Sequence, residues 1–407
     1  MTVAPPILDV FVVWHPDDVE GRERFTEIHE HFHSPAFSGL AGGAVEVYGR
    51  SEPWTDGSAP RPFGIEEPLC EGLPAAQFNM IVVVVDANLL RAGADPGNPW
   101  NAYLHEIVRL RKDHGVGVFP IIAEGLNWET SVVGAILGEV QSLPQAVSRD
   151  RGLLGRELAQ AISQQIRGRA GLSERLTVFV SHTKHGSLAE AKDVGPAMYE
   201  HVRDFIQSSH LSAFFDAQDI QPGDAWADTL EQAAASSALL MIRTDVYAAR
   251  EWTQREVCTA KRSGMPVVCM HALTAGEERG SFLMDHVPSV VSHLGDPGPG
   301  VARALNRLVD ETLKYTLWRA QTSYLSDHGF DWLPAQSPEP TTLAPWLIAH
   351  QEVAPDDKHL WVIHPDPPLG EAEREVLLEL CAMAGFKVDV DILTPRTFAA
   401  RGGELKR

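Results

Sequence analysis

Three places along the chain repeat one pattern: an apolar run, a small polar cluster, then an amphipathic stretch. They are Asp9-Val-Phe-Val-Val-Trp-His-Pro-Asp17, Leu176-Thr-Val-Phe-Val-Ser-His-Thr-Lys184 and His359-Leu-Trp-Val-Ile-His-Pro-Asp366. Short apolar runs rich in β-branched residues and closed by turn signals predict buried parallel strands. Strands alternating with helical patterns predict an α/β protein, a parallel sheet flanked by helices. The first and third runs share His-Pro-Asp, at His15 to Asp17 and at His364 to Asp366, which fits a divergent internal repeat of one α/β unit.

The pattern divides the chain into five parts. Residues 1–125 form a first α/β unit, with strands at Met80–Asp86 and Gly115–Ile122. Residues 126–172 are a helical connector, where Leu154, Leu158, Ile162 and Ile166 line one side of a helix. Residues 173–324 form a second α/β unit. Residues 325–357, rich in Pro, Asp and Ser, read as a linker. Residues 358–407 supply only strand, helix (Glu371 to Ala384) and strand (Phe386 to Val390), too little for a full domain of this kind. The ending from Thr394 reads as a linker leading onward.

Composition narrows the function. At 44% hydrophobic and 22% charged, the chain is that of a folded protein. Its 55 acidic and 34 basic residues give a formal net charge of −21, which argues against a nucleic-acid surface but leaves room for a local phosphate site. The four cysteines form no CxxC pair, no signal-peptide pattern opens the chain, and no long apolar run is present. A cytoplasmic protein without a membrane span is expected.

The second unit is the most informative. Strand Val178 to His182 precedes a helix with Val194, Met198, Val202 and Phe205 at helical spacing. Next come Leu211-Ser-Ala-Phe-Phe-Asp216 and the loop Ala217-Gln-Asp-Ile-Gln-Pro-Gly-Asp224, leading to Trp226. A third strand, Ala238 to Ile242, runs on to Tyr247. Then Arg250-Glu-Trp-Thr-Gln-Arg-Glu-Val257 opens a helix, and Pro266 to Met270 is a strand. In this order the V-F-V-S-H strand, the Phe-Asp pair, the D-I-x-P-G-D-x-W loop, the Tyr after the third strand and W-x-x-x-E at Trp252 to Glu256 resemble the Toll/interleukin-1 receptor (TIR) domain. The resemblance covers about Leu176 to Leu273.

The resemblance implies a flavodoxin-like parallel five-stranded sheet flanked by helices, with TIR-like units on either side. It also implies a site at the carboxyl ends of the strands. Ser181, His182, Thr183, Lys184, Asp216, Asp219, Trp226, Trp252 and Glu256 are its candidate residues. Many bacterial TIR domains cleave NAD+ between nicotinamide and ribose. By resemblance Glu256 is the catalytic carboxylate, Trp252 walls the pocket and Lys184 meets a phosphate. NAD+ is then a substrate rather than a cofactor, no metal is involved, and self-association completes the site. Such proteins resemble antiviral immune effectors. A non-enzymatic TIR scaffold is the alternative. Arg243 stands where the family more often has a small or hydroxyl residue, and no Ser precedes Trp252.

The first unit is similar to a TIR domain more distantly. Glu106 to Gly115 parallels Glu256 to Gly264, but Trp100 lies six residues before Glu106 instead of four, and no Pro-Gly-Asp loop is present. A degenerate partner is expected there. His29-Glu-His-Phe-His33 also matches H-E-x-x-H, in which two histidines share a helix face and Glu30 is the base of a zinc hydrolase. That gives a third candidate activity.

Overall fold

The computed structural model describes residues 6–39, 42–43, 45–55, 59–66, 75–138, 140–148, 150–169, 177–183, 187, 197–209, 211–214, 233–327, 339–350, 360–364, 369–386 and 389–394. The chain separates into two compact units. One comprises 1–166 with 366–368 and 393–407; the other comprises 167–365 with 369–392.

In the first unit, strand β1 (Leu8–Val13) leads into α1 (Val19–Phe32). Then follow β2 (Val45–Arg50), β3 (Phe78–Val85), α2 (Ala87–Ala94), α3 (Pro99–His114), β4 (Gly117–Ile122), α4 (Val132–Leu137) and α5 (Arg151–Arg169). The sheet order is β2-β1-β3-β4, with every pair parallel. From Met80 to Val85 the run of β3 is apolar because both of its faces are covered. On one side Ile81, Val83 and Val85 pack with Leu104 and Ile107 of α3. Helix α3 starts on Asn98, whose side chain accepts the amide of Trp100, and ends at Gly115 in the left-handed region.

The second unit begins with β5 (Thr177–Ser181), α6 (Met198–Gln207), β6 (Ser212–Phe214) and β7 (Ala238–Arg243). It continues through α7 (Glu251–Arg262), β8 (Val267–His271), α8 (Phe282–Asp285) and β9 (Ser289–Val291) to the long helix α9 (Gly298–Asp327). The described strands pair in the order β9-β8-β7-β5-β6, all parallel. Numbered within the unit this is 2-1-3-4-5, the flavodoxin-like order. Short β9 gives little sequence signal, because only Val290 and Val291 are apolar. It is held by its pairing with Cys269 to His271 of β8.

The C-terminal part of this unit departs from the reading of the sequence. Within the stretch read as a linker, residues 325–357, lies a helix, α10 (Pro340–His350). Two prolines, Pro340 and Pro345, mask its helical pattern. Its Leu343 and Leu347, spaced i and i+4, join Leu360, Val362, Leu377, Cys381 and Phe386 in one core. The remaining elements are β10 (Leu360–Ile363), α11 (Glu371–Met383) and β11 (Val390–Leu393). The last strand lies later than Phe386 to Val390, because Phe386 is taken up by the core just after α11.

Neither the zinc reading nor a second carboxylate site is assembled in the first unit. Helix α1 ends at Phe32, so His33 falls on the cap. The His29 and His33 rings stack at 4.0 Å and 13°, which leaves their lone pairs in separate, nearly parallel planes. Among the described residues no three His, Cys, Asp or Glu side chains are grouped to hold a metal ion. Glu106, the counterpart of Glu256, is 39% exposed and is taken by Arg109 at 2.7 Å.

Asp9 on β1 is set beside its register partner Glu46 on β2, and its Oδ1 is buried without a hydrogen bond. Burial, and then the Glu46 charge, raise its carboxyl from 3.8 to about 6, with Arg50 opposing. The folded state therefore holds the Asp9 proton more tightly than the unfolded chain does. Its contribution to stability is full below pH ~4 and is lost as pH rises through ~6. Asp9→Asn is expected to raise the unfolding free energy by about 1–2 kcal/mol at pH 8. That gain over wild type should vanish below pH ~4, as urea unfolding across the pH range will show.

Candidate functional site

Helix α7 carries its buried residues at Thr253, Glu256, Val257, Ala260 and Lys261, an i, i+3, i+4, i+7, i+8 stripe turned to the sheet. A carboxylate in such a stripe violates the ordinary pattern. Withdrawn from water without a partner, it would cost several kcal/mol. Glu256 is only 7% exposed, and it has a partner: the Ser181 hydroxyl donates to Oε2 at 2.5 Å. Ser181 is the last residue of β5, at the carboxyl end of the sheet.

The same Ser181 oxygen is 2.5 Å from the Tyr247 hydroxyl. Ser181 has one proton, and the carboxylate takes it, so Tyr247 must be the donor. The result is a directed chain from Tyr247 to Ser181 to Glu256, in which each bond polarises the next. Tyr247 is fully buried in the apolar cluster that holds Phe179, Leu239, Met241 and Val257. Burial first, and then the Glu256 charge, push its phenol well above the ordinary value of 10.0, so it stays protonated and remains a donor.

Local structure fixes this geometry. Tyr247 opens a single 3₁₀ turn, Tyr247–Ala249, after β7. Helix α7 is stitched to that turn by two side chains. The Thr253 hydroxyl lies 2.6 Å from the Tyr247 carbonyl and 2.9 Å from that of Arg250, and Gln254 Nε2 donates to the Ala248 carbonyl at 2.7 Å. β5 and β7 are hydrogen-bonded neighbours, with Ser181 in register with Met241.

Around this centre lie further polar groups. The hydroxyls of Thr183 and Thr244 are 3.0 Å apart. The His182 ring stacks on Tyr199 of α6 at 4.5 Å. Burial raises the Asp245 carboxyl, but amides of Thr274, Ala275 and Gly276 and the Ser187 hydroxyl bond it and hold it below its ordinary value. Gly276 serves that loop with φ +106°, a conformation few other residues adopt. Arg243, the residue that departs from the family pattern, is buried and bonded to Glu277 and Asp285. It ties the end of β7 to the β8–α8 connection.

Of the residues singled out in the sequence, Ser181 and Glu256 are brought into contact, and His182 and Thr183 stand beside them at the end of β5. Trp252 lies one turn before Glu256 but is 36% exposed, with the Arg255 guanidinium over its ring at 5.2 Å. Lys184, Asp216, Asp219 and Trp226 lie outside the described residues. Tyr247 has no place among the sequence-derived site residues. Its signal was its position, an aromatic with a hydroxyl just beyond an apolar strand.

Removing the middle of the chain leaves a buried acceptor short of its donor. Ser181→Ala is expected to lower unfolding free energy by about 1–3 kcal/mol and Tyr247→Phe by about 1 kcal/mol. The double variant should lose less than the sum, since both act through one chain of bonds. The stability that Tyr247 provides is full below pH ~10 and is lost as pH rises toward its raised folded value. Wild type should therefore weaken more steeply than Tyr247→Phe above pH ~10. Strict additivity in urea unfolding would contradict the shared chain.

Residues 178–275, which include Ser181, Tyr247 and Glu256, match the family model described as TIR domain. No curated protein matches the chain. The parallel 2-1-3-4-5 sheet and the match to residues on four of its strands agree, and the second unit contains a TIR domain.

Proposed function

We propose that the second unit cleaves NAD+ at the bond between nicotinamide and ribose, giving nicotinamide and ADP-ribose or its cyclic form. The observation that carries this reading is the Glu256 carboxylate. It is held in a water-poor setting at the carboxyl end of a parallel sheet by a Ser181–Tyr247 chain. Buried carboxylates that break a helix pattern and are oriented by a second group mark functional sites more than packing sites.

The chemistry suits a single anion. The bond from ribose C1′ to the pyridinium nitrogen breaks with its electron pair going to the nitrogen, so nicotinamide leaves neutral and needs no general acid. Positive charge develops on the ribose, as in other oxocarbenium-like transition states. A carboxylate whose direction is fixed in advance stabilises that charge without reorganising. Water then adds at C1′ and releases a proton, or a group of the dinucleotide itself closes the ring. Ser181 and Tyr247 are positioning residues here, acting through Glu256. NAD+ is the substrate and no resident cofactor is required. Self-association of TIR domains would complete the site, in keeping with a role as an immune effector.

The enclosure of Glu256 also favours a second reading. A carboxylate tied down on a helix is a structural joint as well, and a TIR scaffold that only recruits partners needs no more. No described helix is long and apolar enough to cross a membrane, which fits either reading.

Chromatography of NAD+ incubated with the full chain over a range of protein concentrations separates the two. The enzymatic reading expects nicotinamide release that rises more than linearly with concentration. Glu256→Gln should lower it by about a thousandfold, a magnitude usual for removal of one transition-state charge. Ser181→Ala should lower the turnover number and leave KM nearly unchanged. Release that persists in Glu256→Gln, or none from wild type at any concentration, favours the scaffold.

A further inference from the structure

On β2, the edge strand of the first unit, side chains alternate between two faces. Gly49 lies against Trp14 and against Phe25 of α1, whereas Tyr48 and Arg50 stand on the opposite face. There Arg50 is only 8% exposed, its guanidinium 4.9 Å from the Phe11 ring and 5.6 Å from the Tyr48 ring. Its Nη1 donates to the Gly49 carbonyl at 2.9 Å, but its Nε is buried without a hydrogen bond. A second guanidinium, that of Arg61, lies 4.6 Å from the Trp54 ring, and its Nε is likewise buried and unbonded. Neither arginine is in an ion pair among the described residues. Burial draws the Arg50 guanidinium below its ordinary value, and the neighbouring Arg61 charge adds to this, with Tyr103, Tyr48 and Asp9 opposing.

A charge withdrawn from water normally takes its counter-ion with it. The acids nearby do not serve. Asp9 lies beyond the Phe11–Tyr48 rung, and its raised carboxyl shows that Arg50 does not hold it charged. Glu46 is turned to His33, at 3.9 Å. Glu52 and Glu66 flank Arg61 in the sequence, but Glu52 bonds Arg22, and Glu66 bonds Arg109 and His114. Beside these two cations the Tyr48 and Trp54 rings are open to solvent, Trp54 at 55%.

We infer that this face of the first unit binds a nucleotide, its phosphoryl group on Arg50 and Arg61 and its base stacked on Trp54. The forks of two guanidinium groups match the several oxygens of a phosphoryl group. An exposed indole with a guanidinium on it is a platform for a flat base. A bare phosphate would leave the indole unused, and a neutral ring would leave both arginines without an anion. The site uses none of the residues assigned to NAD+ and stands or falls separately from that activity.

Calorimetric titration of the full chain with the four ribonucleoside 5′-monophosphates, and with inorganic phosphate, at constant ionic strength tests it. At least one nucleotide should bind saturably, about tenfold or more tighter than phosphate. Its affinity should fall about tenfold or more in both Arg61→Gln and Trp54→Ala. Arg111→Gln, on the exposed side of α3, should bind as wild type does. If Arg61→Gln does not fold, Trp54→Ala decides. No saturable binding of any nucleotide, phosphate bound as tightly as the best of them, or unchanged affinity in Trp54→Ala overturns the inference. Release of nicotinamide reads the second unit alone, so either activity can fail without the other.

Discussion

A carboxylate set in the apolar stripe of a helix has to be satisfied inside the protein, and much of the second unit is arranged to do this. Glu256 meets that demand only if three separate segments meet: the end of β5, the turn after β7 and the first half of α7. Ser181 and Tyr247 come from the first two. Neighbouring places for β5 and β7 in the sheet are therefore a condition for burying Glu256 at all. The Thr253 and Gln254 bonds that bind α7 to its preceding turn follow from the same demand, since a shift of the helix by one residue would leave the charge without its donor.

The two units carry one sheet order to different ends. β2-β1-β3-β4 in the first unit repeats the order of the first four strands in the second. Yet Glu106 points to a surface network with Arg109 and Glu66, while Glu256 is turned inward. The difference follows from spacing. Trp100, buried at the start of α3, sits six residues before Glu106 and so on a different face, whereas Trp252 and Glu256 are four apart. Fold is shared here without the constellation on which an activity would depend.

Much of the α/β architecture was legible in the sequence, because runs such as Met80 to Val85 and Ala238 to Ile242 are apolar on both faces and only a parallel sheet buries them so. Ser181 and Glu256 were legible through the order of the motifs. Tyr247 belonged to the same order of motifs, but its part in the site was not legible, because a buried phenol differs from a packing tyrosine only in what its hydroxyl meets 66 residues away in sequence. Helix α10 was obscured by its two prolines. The H-E-x-x-H pattern does bring the His29 and His33 rings together, but among the described residues no three side chains that could hold a metal are grouped, which two histidines four apart cannot announce. Lys261 reads from sequence as an ordinary last-turn cation, and only the packing of α9 and α10 reveals its burial.

The most direct check on the central claim is the structure of the full chain bound to a non-hydrolysable NAD+ analogue, with the Glu256 carboxylate measured against the ribose on the nicotinamide side. A carboxylate oxygen should lie within hydrogen-bonding distance of that ribose, about 2.6–3.2 Å, with Ser181 still bonded to the other edge of the group. A dinucleotide seated elsewhere, with Glu256 closed off behind Ser181 and Tyr247, would contradict it.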